Sequence, residues 1–566
     1  MTMDFVTPIG FRDILPDEAL QREQISQRVM ARFSEAGYVP IETPTLERMD
    51  AMDAAGRIPG KTFKLFDATG ELLALRPDVT MQVARIAATR LRGQGGVARY
   101  RYMQRVFRDV DLQFEAREMT QMGIECIGEG GAAADAEVVG LFAQALQLAG
   151  LERFTIALGT VGVLRALLEA CEAEGAWKNA VLAAYHASNF VELDELCTQE
   201  GVPVEYAQAI DALPRIRGGR EAIDEVRALV EPLGCVDGLD AFAQAFDALA
   251  EAGLADALLV DFSIMSSFDY YTGIVFEAYA PGMGELLGSG GRYDTMLESL
   301  GADARPAAGF SFYLEQVMEA REQGVEQGTG FCSTSATASI ALEKEKVEQK
   351  PVPCSTNRPL RIAVPKGSLN EGAIAALTAA GLDTTGLDNP GRQLIISNPG
   401  VDYIIVRPTD APAFVALGAA DCGICGEDSL VETGADVVEL VDLGFGACRF
   451  IVAQPAGTTE AVQERYRKLG SMRIATKYPN ITRRFFGRQG TQVEIVELRG
   501  NIELAPMVGM AERIVDITAT GTTLRENNLE IVDEVLECTA RFFANTAAFR
   551  MDERVVELAR ALKENA

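Results

Sequence analysis

Ile514-Val515-Asp516-Ile517-Thr518-Ala519-Thr520-Gly521-Thr522-Thr523-Leu524 decides how the second half of this chain is read. An apolar run ends in a carboxylate, passes through a Thr/Gly-rich turn and enters LRENNLEIV, which carries helical spacing. That is strand, turn, helix. Working outward, LRIAVP, DYIIVRP, DCGICG, FIVAQP, RIATKY and VEIVEL are short apolar strands separated by helical segments. Such alternation predicts an α/β domain with a mainly parallel sheet. The turn after Asp516 would present backbone N–H groups and hydroxyls at a helix start, a natural cradle for a phosphate, with the carboxylate placed to accept from ribose hydroxyls. No Gly-Lys-Ser/Thr follows, so it is not a Walker loop. On these residues alone, a helix cap with an ordinary Thr-Gly turn is an equal reading.

Upstream, the texture breaks. Residues 321–358 (REQGVEQGTGFCSTSATASIALEKEKVEQKPVPCSTNR) are rich in Gly, Ser, Thr, Lys, Glu and Pro and read as a linker. As a flexible coil it would span roughly 35 Å. Before it lies a module over 1–320, opening with helical LQREQISQRVMARFSEAG and the strand-like KTFKLFDATGELLAL and RYRYMQRVFRDVD. An Ala/Leu-rich helical insertion over about 140–260 interrupts it, strands return at DYYTGIVFEAYA, and a last helix follows GFSFYLEQVMEAR. This pattern predicts α+β with an antiparallel sheet.

Across 566 residues the net charge is −30, which argues against general nucleic-acid binding. No run reaches the ~18 apolar residues of a membrane span, and MTMDFVTPIGFRD lacks the basic and apolar regions of a secretory signal, so a cytoplasmic setting is expected. The chain has one histidine, His186, so catalysis is expected to rest on carboxylates, Lys, Arg and backbone dipoles. The ten cysteines make no disulfide framework; the pair Cys422 and Cys425, set among apolar residues, reads as a buried strand rather than a metal or redox site.

Over 359–566, LRIAVPKGSL, Gly391-Arg392-Gln393-Leu394, Val406-Arg407-Pro408, GAADCGICGEDSLVE, LGFGACRF, RIATKYPNITRRFF and ELRGNIELAPMVGMAERIVDITATGTTLREN occur in that order. Together they resemble the short-form catalytic subunit of ATP phosphoribosyltransferase. The resemblance implies two α/β lobes of periplasmic-binding-protein type, with ATP and phosphoribosyl diphosphate between them and magnesium carried on the substrates. It implies attack of adenine N1 on ribose C1 with loss of pyrophosphate. The implied cations are Lys366 and Arg392, with Arg407, Lys477 and Tyr478 at the ATP. Asp516 would hold the ribose hydroxyls, while Ala519, Thr520, Gly521, Thr522 and Thr523 cradle the 5-phosphate and Glu503 orients metal or ribose. Ser368 stands where many members carry an arginine, so one cation of the usual set is missing.

Over about 5–320, PIGFRDILPDEA, GYVPIETPTLE, LRPDVTMQVAR, RVFRDVD, QMGIECIG, FDYYTGIVFEAY, GSGGRYD and GFSFYLEQV follow the order of a class II histidyl-tRNA synthetase core. The resemblance implies a histidine shell. Asp78 would stand at the ammonium, Arg108 at the carboxylate, and Gln121, Glu125, Tyr270 and Tyr271 around the imidazole, with Thr80 in the same shell. Two arginines of that family are replaced, by Ser266 and Gln316, and Tyr313 stands where a small residue is usual. A shell kept without its chemistry resembles the regulatory subunit of ATP phosphoribosyltransferase. The whole chain thus reads as a fusion of regulatory and catalytic halves. Its expected activity is the first step of histidine biosynthesis, with histidine as allosteric inhibitor and a homo-oligomer, a tetramer of fused chains, as assembly. The alternatives are transfer to another base and a histidine-binding regulator without activity.

Overall fold

A computed structural model describes residues 6–55, 62–93, 95–109, 116–264, 270–328, 358–518 and 521–565. They fall into two compact units, Met1–Ser188 with Glu192–Thr356 and Asn189–Val191 with Asn357–Ala566. The first unit is built on a nine-stranded sheet. Its strands run Val39–Pro40, Ala98–Phe107, Glu118–Ile127, Ala307–Tyr313, Gly288–Arg292, Ile274–Tyr279, Thr155–Thr160, Leu258–Asp261 and Arg217–Gly218. Neighbours are antiparallel except at Val39–Pro40 with Ala98–Phe107 and at Thr155–Thr160 with Leu258–Asp261. The expected antiparallel core is therefore present. The helical stretch differs in detail: helix begins at Ala132, and the strand Thr155–Thr160 lies inside the expected insertion. The last helix, Leu314–Gly328, runs on into the segment read as linker, and 329–357 lie outside the described residues.

Period-two alternation sorts this sheet into an apolar face and a polar one. Met122, Ile124, Phe276, Phe310 and Phe312 join the buried core that holds the helices Pro16–Glu35 and Ala132–Leu148. Phe142 of the second helix stacks on Phe310 at 4.8 Å and Phe276 at 5.6 Å, while Phe33 of the first meets Phe310 at 5.7 Å. The intervening positions Gln121, Glu125, Gly309 and Ser311 face the other way, and they build the site.

The second unit holds two sheets. One runs Ile395–Asn398, Val401–Val406, Leu360–Pro365, Cys422–Gly426, Ala540–Ala544, Val438–Asp442; the other runs Val493–Glu497, Met472–Thr476, Arg513–Thr518, Cys448–Pro455, Leu529–Cys538. The expected mainly parallel sheet is corrected to two mixed ones. In the first, only the pairings of Leu360–Pro365 with its two neighbours are parallel. In the second, only those of Met472–Thr476 are. The chain crosses between the sheets at 443–447 and returns at Thr539, and the strand entered at each crossing, Cys448–Pro455 or Ala540–Ala544, runs against both of its neighbours. Cys422–Gly426 is a fully buried strand feeding the helix Glu427–Thr433, as its apolar setting predicts. LRENNLEIV is also corrected. Helix covers only Thr522–Glu526; Asn528 takes a left-handed φ of 53° and the chain enters the strand Leu529–Cys538.

Candidate functional site

In the first unit, Leu72–Leu75 delivers Arg76, Pro77 and Asp78 to the start of the helix Thr80–Ala88. Asp78 lies across from Gln121, whose amide uses both of its N–H donors and its oxygen. Gln121 Nε2 donates to Asp78 Oδ2 (3.0 Å) and to Ser311 Oγ (2.8 Å), and its Oε1 accepts from Val79 N–H (3.0 Å). Gln121 is thereby a brace that aims the Asp78 carboxylate. Glu125 is fully buried, taking Thr80 Oγ1 at 2.6 Å and Tyr102 OH at 3.1 Å on one oxygen and Tyr293 OH on the other. Burial outweighs these donors, and Asp78 adds to it, so the Glu125 carboxyl is pushed up to about 8. Tyr270 and Tyr271 are buried with their rings 4.7 Å apart, and Tyr293 meets Tyr270 edge-on at 5.9 Å.

Two glycines make this packing feasible. A Cβ on Gly309 would sit 2.0 Å from Glu125 Oε2, and one on Gly291 would sit 2.7 Å from the Tyr271 ring. Tyr102, Tyr293, Ser311 and these glycines were not singled out from the sequence; the signal for them was period-two alternation through the flanking motifs, which puts them on the same face as Glu125. Arg108 reaches the edge of this face, where Tyr313 stands opposite Gln121 in register. Its guanidinium donates to Tyr313 OH and stacks 5.3 Å from that ring's centre. The tyrosine that replaces a small residue thus engages the cation expected at a carboxylate. Ser266 lies outside the described residues, and Gln316 donates to Glu285 at 2.7 Å. What remains is a dry, tyrosine-lined shell in which Asp78 and Glu125 make no ion pair among the described residues, an environment suited to a cationic amine. A cavity of about 630 Å³ elsewhere on this unit is lined by Arg12, Arg22 and Arg105, each already paired with a glutamate at 2.5–2.7 Å, and carries no comparable demand.

In the second unit the candidates gather at strand ends. Lys366 follows Leu360–Pro365 and Arg407 follows the parallel neighbour Val401–Val406, with Lys366 N–H bonded to Val406 O at 2.9 Å. Arg392 lies in the turn before the antiparallel strand Ile395–Asn398, whose register with Val401–Val406 leads back to the same end. At the second sheet, Lys477 follows Met472–Thr476, whose Thr476 pairs with Val515, so Lys477 stands beside Asp516. Half-buried Asp516 accepts from Ile517 N–H at 2.9 Å; burial raises its carboxyl above the ordinary range, Lys477 opposes that and Glu503 adds to it. The turn is closed by Gly521 N–H on Thr518 Oγ1 (2.9 Å), with Gly521 at φ 68°. Ala519 and Thr520 lie outside the described residues, as does the side chain of Thr522; Thr523 opens the short helix beside it. With five residues of helix, the cradle would depend on loop N–H groups more than on a dipole. Tyr478 packs edge-on against Phe450 at 4.7 Å, and burial pushes its hydroxyl upward. Lys366, Arg392, Arg407 and Lys477 are exposed and form no ion pair among the described residues. Four exposed cations at strand ends, of which only Lys477 has a carboxylate, Asp516, acting beside it, mark a surface suited to polyanions in a chain of net charge −30. Ser368 is exposed in the turn after Lys366. Glu432 was missed: its carboxylate accepts from Asn480 and Ile481 N–H at 2.9–3.1 Å, capping the helix Pro479–Arg488.

Comparison with known proteins matches the two parts of the chain to different families. A profile of the histidyl-tRNA synthetase family matches residues 10–317, and one of the ATP phosphoribosyltransferase family matches 407–564. Two separate proteins of Moorella thermoacetica match the two halves. Its ATP phosphoribosyltransferase regulatory subunit is 37% identical over 318 residues, 56% of this chain and 81% of that protein. Its ATP phosphoribosyltransferase is 48% identical over 212 residues, 37% of this chain and 93% of that protein. A solved ATP phosphoribosyltransferase regulatory subunit/histidyl-tRNA synthetase from Bacillus halodurans is 26% identical, with TM-score 0.53, over 72% of this chain and all of that one. The chain therefore belongs to the ATP phosphoribosyltransferase family through its second half and to the histidyl-tRNA synthetase-like regulatory family through its first, as a fusion of the two.

Proposed function

We propose that the second unit transfers a phosphoribosyl group from phosphoribosyl diphosphate to N1 of ATP, and that the first unit activates it and senses histidine. The observation that carries the reading is Asp516 beside Lys477 at the mouth of the Thr/Gly turn, with unpaired cations at the ends of both sheets. Displacement at an anomeric carbon builds positive charge on the ribose and negative charge on the departing pyrophosphate. Positioning and charge neutralisation therefore dominate over covalent help. Asp516 would accept from the ribose hydroxyls, the turn from Ala519 to Thr523 would hold the 5-phosphate, and Lys366 and Arg392 would meet the pyrophosphate. Arg407, Lys477 and Tyr478 would meet the ATP, and Glu503 would orient ribose or its metal. Magnesium would arrive on the polyphosphates, where it offsets their charge.

The proposal takes 1–320 as the regulatory module, 321–358 as linker and 359–566 as catalytic module, its two sheets being lobes of periplasmic-binding-protein type. Fusion fixes the stoichiometry and keeps the partner at an effective concentration of order millimolar. A cytoplasmic homo-oligomer of fused chains belongs to the same reading. The test is pyrophosphate release from ATP plus phosphoribosyl diphosphate by the full chain, with and without histidine. Release that histidine suppresses is the expected result; release with another base but not with ATP would replace the reading with a different transferase.

A further inference from the structure

Cys448 opens the strand Cys448–Pro455 and Cys538 closes the antiparallel strand Leu529–Cys538, and the two face each other in register. Directly opposed residues on such strands lie about 4.5–5.5 Å apart at Cα, with side chains on one face, a separation that a disulfide bridges. Both are free thiols; Cys538 is 2% exposed and Cys448 half-buried. Their position along the chain matters as much. Residues 443–447, one crossing between the sheets, run directly into Cys448, and Thr539, the other crossing, directly follows Cys538. The crossings lie side by side, with Leu443 N–H on Ala540 O and Ala540 N–H on Phe445 O, both at 2.9 Å. Any closure of one sheet on the other must turn at these two strands.

We propose that Cys448 and Cys538 form an oxidative modification site, at which a peroxide links them into a disulfide that stiffens the crossings and reversibly slows the transferase. The effect on transfer rests on the function proposed above; the link itself does not. The Cys448 sulfur attacks the peroxide, the O–O bond breaks, and a sulfenic acid forms as hydroxide leaves. The Cys538 sulfur then attacks the Cys448 sulfur, the S–O bond breaks and water departs. Two thiols lose two electrons and two protons, and one peroxide becomes two waters. Cys448 is suited to the first step: the neighbouring Cys538 thiol holds the Cys448 thiol below its ordinary range, and that of Cys538 is raised in turn. By contrast, burial pushes the Cys126 thiol up to about 11 and the Cys197 thiol up to about 12. The pair also lies close to the candidate site, since Cys448 acts electrostatically on Tyr478.

The test treats the full chain with hydrogen peroxide, alkylates the remaining thiols and maps the unreduced peptides by mass spectrometry. A peptide pair joining Cys448 to Cys538 is expected, with transfer slowed about ten-fold, as for a bias against the closed form, and restored by dithiothreitol. The C448S/C538S double variant should keep basal activity and lose the response. Recovery of both cysteines in alkylated form overturns the site. So does inhibition that persists in the double variant, which would point to Cys332 or Cys354, or a linked pair with unchanged rate. If the untreated chain releases no pyrophosphate, the function reading fails, and the peptide map still decides the link.

Discussion

Asp516 keeps a carboxylate half out of water beside one lysine, a placement that costs stability and is repaid only if something polar docks there. Asp516→Asn keeps the shape and removes the charge, so folding should change little, while kcat/KM for phosphoribosyl diphosphate should fall about 100-fold. Steady-state kinetics beside a melting curve check both halves; unchanged kinetics would mean that the carboxylate does not meet the ribose. Glu125 makes a second claim at this scale. With its carboxyl pushed up to about 8, the folded chain binds more protons there than the unfolded chain between the ordinary carboxyl range and pH 8. Stability should therefore be greatest below that window and decline as pH rises through it, reaching its floor above about 8. Melting temperatures across pH 5–9 should show this decline in the native chain and a flatter profile in Glu125→Gln, which stays neutral throughout. Reading the sequence finds Glu125 because it stands in a motif; it does not find the carboxyl's proton, because that depends on Tyr102, Tyr293 and Gly309 arriving from three other segments of the chain.

Elements were legible where one period dominated. The Ala98–Phe107 and Ile274–Tyr279 strands fall within runs that read as strands, whereas strand direction leaves no mark on hydrophobic period, so the mixed sheets of the second unit read as mainly parallel. LRENNLEIV fits either period over its short length, and the left-handed Asn528 settles it by ending the helix. Thr155–Thr160, apolar and flanked by Ala/Leu-rich helices, merged into them for the same reason. The register of Glu118–Ile127 against Ala307–Tyr313 carries its own prediction. Glu125 lies opposite Gly309, and a methyl group there would come within 2.0 Å of its carboxyl. Gly309→Ala should cost about 1–3 kcal/mol as an overpacked core does, and it should displace Glu125 from the shell. Calorimetric titration should show histidine binding lost or much weakened while the uninhibited transfer rate stays near that of the native chain. Intact histidine binding in Gly309→Ala would place the ligand on another surface.

Across the whole chain, the proposed regulation requires the polyanion-suited unit and the acidic shell to share free energy. On the proposed reading Asp78, aimed by Gln121, is the charge offered to the amino acid's ammonium. A charge-assisted bond to an ammonium in such a place is worth roughly 1.5–3 kcal/mol, so Asp78→Ala should weaken histidine binding about ten-fold to a hundred-fold. Transfer without histidine should persist in that variant, because the substitution lies outside the unit that carries Asp516. Linkage then demands symmetry. If histidine weakens phosphoribosyl diphosphate binding by some factor, saturating phosphoribosyl diphosphate must weaken histidine by the same factor. Paired titrations of the full chain, each ligand in the presence and absence of the other, measure both factors. Equal factors in the native chain, with the histidine term shifted in Asp78→Ala, place the effector site in the first unit; inhibition left untouched by Asp78→Ala would move it into the catalytic unit.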